Sequence, residues 1–99
     1  ADISPRIDPQ STVKLANNVY ARSFGEELVL LDFGRGEYFG LDEVAADVWK
    51  GCEGGDSLSA IANAIVQRYE VSYEVALRDI ITLITQMRDK GLLTIVASE

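Results

Sequence analysis

Histidine is absent from this chain of 99 residues, and cysteine occurs once. Without histidine, the usual general base and the commonest metal ligand are both missing. Cys52 therefore has no imidazole to activate it, which excludes a Cys-His nucleophile. It also cannot close an internal disulfide, a usage that fits a reducing cytoplasm; a small core filler on the buried side of a helix is the simpler role. The only prolines, Pro5 and Pro9, sit among polar residues at the start, so residues 1–10 are expected to form a flexible tail. No apolar run approaches the ~18 residues of a membrane helix, and no signal peptide is visible. Basic residues are few, 9 Lys and Arg against 16 Asp and Glu. No basic stripe for phosphate neutralisation can be built from them, which argues against nucleic acid as a partner. A guest peptide with some positive charge would be favoured modestly.

What is present is enough for one packed domain. The hydrophobic fraction of 47% is that of a globular protein, and a chain of this size buries roughly 65% of its unfolded surface. The organising stretch is residues 28–41, LVLLDFGRGEYFGL. Residues 28–31 form a near-continuous apolar run, as a buried strand needs. Gly34-Arg35-Gly36 offers the positive-φ positions of a tight hairpin turn. A short mixed strand at residues 37–41 then runs into a helix capped by Asp42. Upstream, residues 13–24 give two extended pieces interrupted by Asn17-Asn18, a turn or bulge. Gly25-Glu26 turns this first strand into the second. The prediction is a three-stranded antiparallel sheet followed by three helices, an α+β, winged-helix-like domain over residues 11–96, with residues 97–99 as a C-terminal tail.

The helices follow from periodicity and caps. The first buries Val44, Ala45, Val48 and Trp49 and ends at Gly51 or Gly54. The second, capped by Asp56 or Ser57, carries Leu58, Ile61, Ala62, Ile65, Val66 and Tyr69. The third, capped by Ser72, spans about residues 73–90 and is stopped by Gly91. Residues 92–96 either add a short strand or pack as a tail. On the third helix, Tyr73, Ala76, Leu77, Ile80, Ile81, Leu83, Ile84 and Met87 fill an arc of roughly 160° at 100° per residue, wider than one core contact requires. Either the helix is sunk between sheet and helices, or an edge along Ala76, Ile80, Leu83 and Met87 lines a groove. Flexible Met87 would suit an adaptable surface.

Catalytic patterns are missing. Glu26-Glu27 and Asp42-Glu43 are explained by turns and caps. Gly34, Gly36 and Gly40 lie within a hairpin rather than a βαβ unit, so they do not make a phosphate loop. No metal-ligand cluster and no cofactor site can be drawn. The chain reads as a non-enzyme.

Three segments carry a family resemblance: LLDFGRGEYFGLDEVAADVW (residues 30–49), GDSLSAIANAIVQRY (residues 55–69), and Asp79 followed by an apolar helix ending in KGLL (residues 90–93). In order and spacing the chain resembles PqqD-like leader-recognition domains, the RiPP recognition elements. The RGEYFGL…VW version is most similar to the stand-alone proteins of lasso-peptide clusters. The resemblance implies that the leader of a ribosomally made precursor adds as a strand beside the third sheet strand, with its apolar side chains between that strand and the third helix. It implies as partners the precursor leader, a separate leader protease and a cyclase or other maturation enzyme, in the cytoplasm, with no cofactor, membrane or nucleic acid.

The residues themselves agree with that picture. An edge strand offers spare N–H and C=O groups to an extended guest. Glu37, Tyr38, Phe39 and Gly40 would supply that edge, with Ala76, Asp79, Ile80, Leu83, Ile84 and Met87 as the helical wall. Alternation puts Tyr38 and Phe39 on opposite faces without deciding which reaches the guest. The alternatives are a peptide chaperone of another such pathway, PQQ biosynthesis for example, a winged-helix DNA-binding regulator, or a module that pairs weakly with itself through the same edge. Glu74 and Asp79 near the start of the third helix would face phosphate, which disfavours the DNA reading.

Overall fold

The computed structural model describes residues 7–96; residues 1–6 and 97–99, the greater part of the two expected tails, lie outside the described residues. Strands β1 (Thr12–Leu15), β2 (Val19–Phe24), β3 (Glu27–Asp32) and β4 (Glu37–Leu41) come first. Helices α1 (Glu43–Glu53), α2 (Leu58–Arg68) and α3 (Tyr73–Asp89) follow, and β5 (Leu93–Val96) closes the order. The architecture is α+β: an antiparallel sheet β2-β3-β4, then three helices.

One strand is placed differently from the sequence expectation. Residues 13–24 are not one interrupted strand of the main sheet. The turn at Asn17-Asn18 sends β1 away to pair with β5 in a separate antiparallel ribbon, Val13 opposite Ile95 and Leu15 opposite Leu93. Val13, Leu93 and Ile95 are buried beneath it. The short alternating segment at residues 93–96 thus needs β1 as its partner, and β1 leaves the outer edge of β2 bare. Further upstream, the carbonyls of Pro9 and Ser11 accept the Ser59 and Leu58 amides at 2.7 and 3.0 Å. Residues 9–11 therefore satisfy two of the orphan donors at the start of α2.

Each helix begins at a side-chain cap. Asp42, Ser57 and Ser72 accept from the backbone amides of Ala45, Ala60 and Val75 respectively. The capping residue at the end of α2 is Tyr69, which has already left helical geometry. Trp49, Leu30, Leu58, Ile84, Leu92 and Val48 are all but sealed from solvent. On α1 the buried face is Ala46, Val48, Trp49 and Cys52. Val44, expected in that face, is 40% exposed; the helix is rotated so that Ala46 takes the core position. Burial, with Asp56 and Glu53 adding to it, pushes the Cys52 thiol from 9.0 up to about 12, the signature of an inert core sulfur.

The β3-β4 turn is held by one buried carboxylate. Asp32 Oδ1 accepts from Asn18 Nδ2 at 2.6 Å and from the amides of Gly34 and Arg35 at 2.9 and 3.2 Å. Of the glycines in this turn only Gly36 has a positive φ, 68°. Gly34 is needed for space instead: a Cβ there would lie 2.7 Å from Asn18 Nδ2. Asp32 and Asn18 thereby fix the hairpin that carries β4.

Candidate functional site

Strand order alone leaves two open margins on the main sheet, the outer edges of β2 and β4. An open margin is a row of backbone donors and acceptors that an extended segment can satisfy. The margins differ in what stands next to them. Along α3, on the side nearer β4, are two hollows that share Leu83, one facing α1 and one facing β4.

The first hollow, of about 330 Å3, lies where β4 passes into α1. Val44, Ala45 and Val48 of α1 face Ala76, Asp79, Ile80 and Leu83 of α3 across it, with Asp42 and Tyr69 at its polar rim. The second, of about 170 Å3, is bounded by Phe39, Gly40 and Leu41 of β4 and by Leu83, Gln86, Met87 and Lys90. Of these two, the second is lined by β4 itself and the first is not; two further concavities, between α1 and α2 and between the β1-β5 ribbon and the end of α3, do not reach Leu83.

Register settles which β4 side chains face this trough. Phe39 and Leu41 pair with Leu30 and Leu28, both buried, so they share the inner face. Tyr38 pairs with Leu31 on the outer face and is 75% exposed. Of the two aromatics, Phe39 lines the groove. On the outer face Tyr20 and Phe33 meet edge-on with centroids 5.2 Å apart; with Phe24 and Tyr38 they leave large hydrophobic surface in solvent.

Among the helical residues singled out from the sequence, Ala76, Asp79, Ile80, Leu83 and Met87 come together along the two hollows. Ile84 does not; it is fully buried and belongs to the core, because it lies one position beyond Leu83 and so turns 100° away from it. Glu37 and Tyr38 are exposed strand residues that line neither hollow. Gly40 meets nothing within 4 Å where a Cβ would stand, so the chain's own packing does not demand glycine there.

Sequence reasoning missed Val44, Gln86 and Lys90. Gln86 and Lys90 follow Leu83 and Met87 by three residues each, the spacing of a shared helix face, which was the available signal. Lys90 holds its ammonium 5.3 Å from the centre of the Phe39 ring, a cation–π distance. At the opposite end, Arg68 ties α2 to α1 through Asp47 at 2.7 Å and Glu43 at 2.6 Å. Tyr69 donates to Asp47 Oδ2 at 2.8 Å; desolvation first, then this bond, raises its pKa. These contacts brace the wall of the first hollow and leave Asp42 and Asp79 as the acids on its rim. Among the described residues no group of His, Cys, Asp and Glu could hold a metal ion, and no helix is long and apolar enough to cross a membrane.

A PqqA binding protein of Rhodopseudomonas palustris (strain TIE-1) is 32% identical over 53 residues, 54% of this chain; the match spans about half, 52%, of that relative's length. The structure of TbiB1 in complex with the TbiA(beta) leader peptide superposes with a TM-score of 0.77 at 32% identity, covering 81% of this chain and 93% of that one. Lasso peptide synthetase B1 complexed with the leader peptide gives 0.77 at 30% identity, over 82% and 95%. The model of coenzyme PQQ synthesis protein D (PqqD) matches residues 27–93, from the first residue of β3 to the start of β5, and on that match, which takes in β4, α3 and the trough between them, the chain belongs to the PqqD family.

Proposed function

We propose that the protein binds the leader of a ribosomally made precursor peptide as an added strand on β4, and presents it to separate maturation enzymes. The observation that carries this reading is the juxtaposition of an open strand edge with an apolar trough against α3. The guest's backbone would pair with β4, and alternate side chains would enter the hollows on either side of Leu83. The energetics set the scale: about four backbone bonds at ~1 kcal/mol and two or three apolar anchors at ~1.5–3 kcal/mol give a gross gain near 10 kcal/mol. Ordering a disordered leader costs about 2–5 kcal/mol, and rigid-body entropy costs more. What remains is less than about 8 kcal/mol, which corresponds to micromolar binding or weaker and suits a carrier that must release its cargo.

A binding role rather than catalysis is supported by the family match and by the two leader-bound structures that resemble this chain. The lasso-peptide pathway, with a leader protease and a cyclase as recipients, is favoured over PQQ biosynthesis. The two leader-bound structures match over four-fifths of this chain, whereas the PqqA binding protein matches over about half. Such a carrier would work in the cytoplasm beside its precursor. The test is a titration of labelled leader from the neighbouring precursor gene, followed by amide exchange. Saturable binding that slows exchange along β4, and leaves the equally open β2 unchanged, is the expected result. Protection of β2 instead would sink the assignment of the receiving edge.

A further inference from the structure

The trough is electrically polarised. At the first hollow, Asp42 and Asp79 stand on the rim, and both are exposed. Asp79 has only the loose 3.9 Å contact with its neighbour Arg78. Glu43 and Asp47 nearby share the single guanidinium of Arg68. At the far end of the second hollow the balance reverses. Lys90 lines it and sits over Phe39, and Arg35 reaches to Gly91 next to Lys90. Arg88 lines the concavity beneath the β1-β5 ribbon instead, 3.7 Å from Asp89, so the acid set against Lys90 and Arg35 is Glu37 at the start of β4. The dipole of α3 runs the other way, but it amounts to only about half a charge at each terminus and fades within a turn. The side chains prevail at both ends.

From Asp79 to Lys90 the helix rises about 16 Å, the reach of roughly five residues of extended chain. The stretch of guest that fills both hollows therefore meets an acidic rim at one end and a basic one at the other. β4 runs from the basic end toward the acidic end, and antiparallel pairing is the more stable ladder. We propose that the groove reads the order of charge in its guest: Lys or Arg on the N-terminal side of the apolar anchors and Asp or Glu on the C-terminal side. This rests on the leader-binding reading and adds what selects among leaders and fixes their direction. The net charge of −7 favours cationic guests as a whole; the Lys90 end makes an exception of the guest's C-terminal portion.

The experiment selects randomised linear peptides displayed on phage, in parallel on the wild-type protein and on the double variant Asp79→Lys, Lys90→Glu, with Leu83→Glu as the control. Both charge positions are exposed, so the fold is retained; circular dichroism checks it. Wild type is expected to enrich peptides with basic residues before the apolar anchors and acidic residues after them, and the double variant the reverse. A selected peptide and its charge-swapped isomer should differ about tenfold in Kd on the wild type at low salt, with the ratio collapsing at high salt. Enrichment with no charge order, with the opposite order on the wild type, or with the same order on both proteins overturns the inference and leaves the groove standing. If nothing is enriched over Leu83→Glu, the groove takes no peptide and both readings fall.

Discussion

Leu83 is where the trough can be tested most sharply. It is half-buried, and it borders both hollows. A guest side chain entering either one must pack on it. Leu83→Glu removes an apolar contact of ~1.5 kcal/mol and obliges a carboxylate to lose water beneath the guest, at about 1–3 kcal/mol. The combined loss of about 3 kcal/mol corresponds to a rise in leader Kd of roughly a hundredfold. The folded state itself suffers less, since an exposed route to solvent remains for the new side chain; ~1 kcal/mol of stability is expected. Ile84→Val provides the opposite pattern, because Ile84 is fully buried next in sequence: about 1 kcal/mol of stability lost, with affinity unchanged. Anisotropy titrations of labelled leader, paired with urea denaturation of each variant, read both quantities. Should folded Leu83→Glu bind within about twofold of wild type, less than 0.5 kcal/mol, the hollows are not seats for the guest. Met87→Glu is a poorer choice, since Met87 is only 3% exposed and a charge there would damage the core.

Asp32→Ala strips the acceptor from Asn18 and from two turn amides; a loss of about 2–3 kcal/mol in urea unfolding is expected, with weaker leader binding as the hairpin loosens. Gly51→Ala improves helix propensity by up to ~1 kcal/mol, yet its Cβ would stand 2.7 Å from Ile61 Cγ1, so net destabilisation in thermal melts is the expected sign. The Cys52 thiol titrates higher in the folded protein than in the unfolded chain, which loses its proton first as pH rises. Stability should therefore hold below pH 9.0 and decline toward pH 12. Denaturation midpoints across that window should fall less steeply for Cys52→Ala.

Legibility in the sequence followed the range of the forces involved. Caps and stops are local: Asp42, Ser72 and Gly91 were readable from neighbours alone, and the cap of α2 was narrowed to Asp56 or Ser57, of which the structure uses Ser57. The β3-β4 hairpin was readable for the same reason, and with it the open edge of β4. The fate of β1 was not. Residues 12–15 carry ordinary strand character, and only pairing with β5, some eighty positions away, determines which sheet they join. The rotation of α1 that exposes Val44 is likewise set by what α2 and the sheet cover. On α3, eight apolar residues mark a broad face, but periodicity cannot separate its lining from its core. Leu83 and Ile84 are adjacent in that arc, and the position of β4 decides which one meets the trough.

The same geometry bears on why β4 rather than β2 is the edge proposed to receive a guest, and on whether the protein pairs with itself. β2 offers amides and carbonyls but has no helix alongside, so a strand added there would bury little beyond its backbone. Backbone bonds alone yield about 1 kcal/mol each, which the entropy of association consumes. On β4 the hollows supply the additional apolar burial that makes pairing favourable. The hollows that Leu83 borders are small, about 330 and 170 Å3, which suits the side chains of one extended segment better than the packed face of a second copy. Sedimentation of the free protein should accordingly give a monomer at concentrations where leader binding is saturated; a dimer dispersed by leader would mean that the same edge serves both.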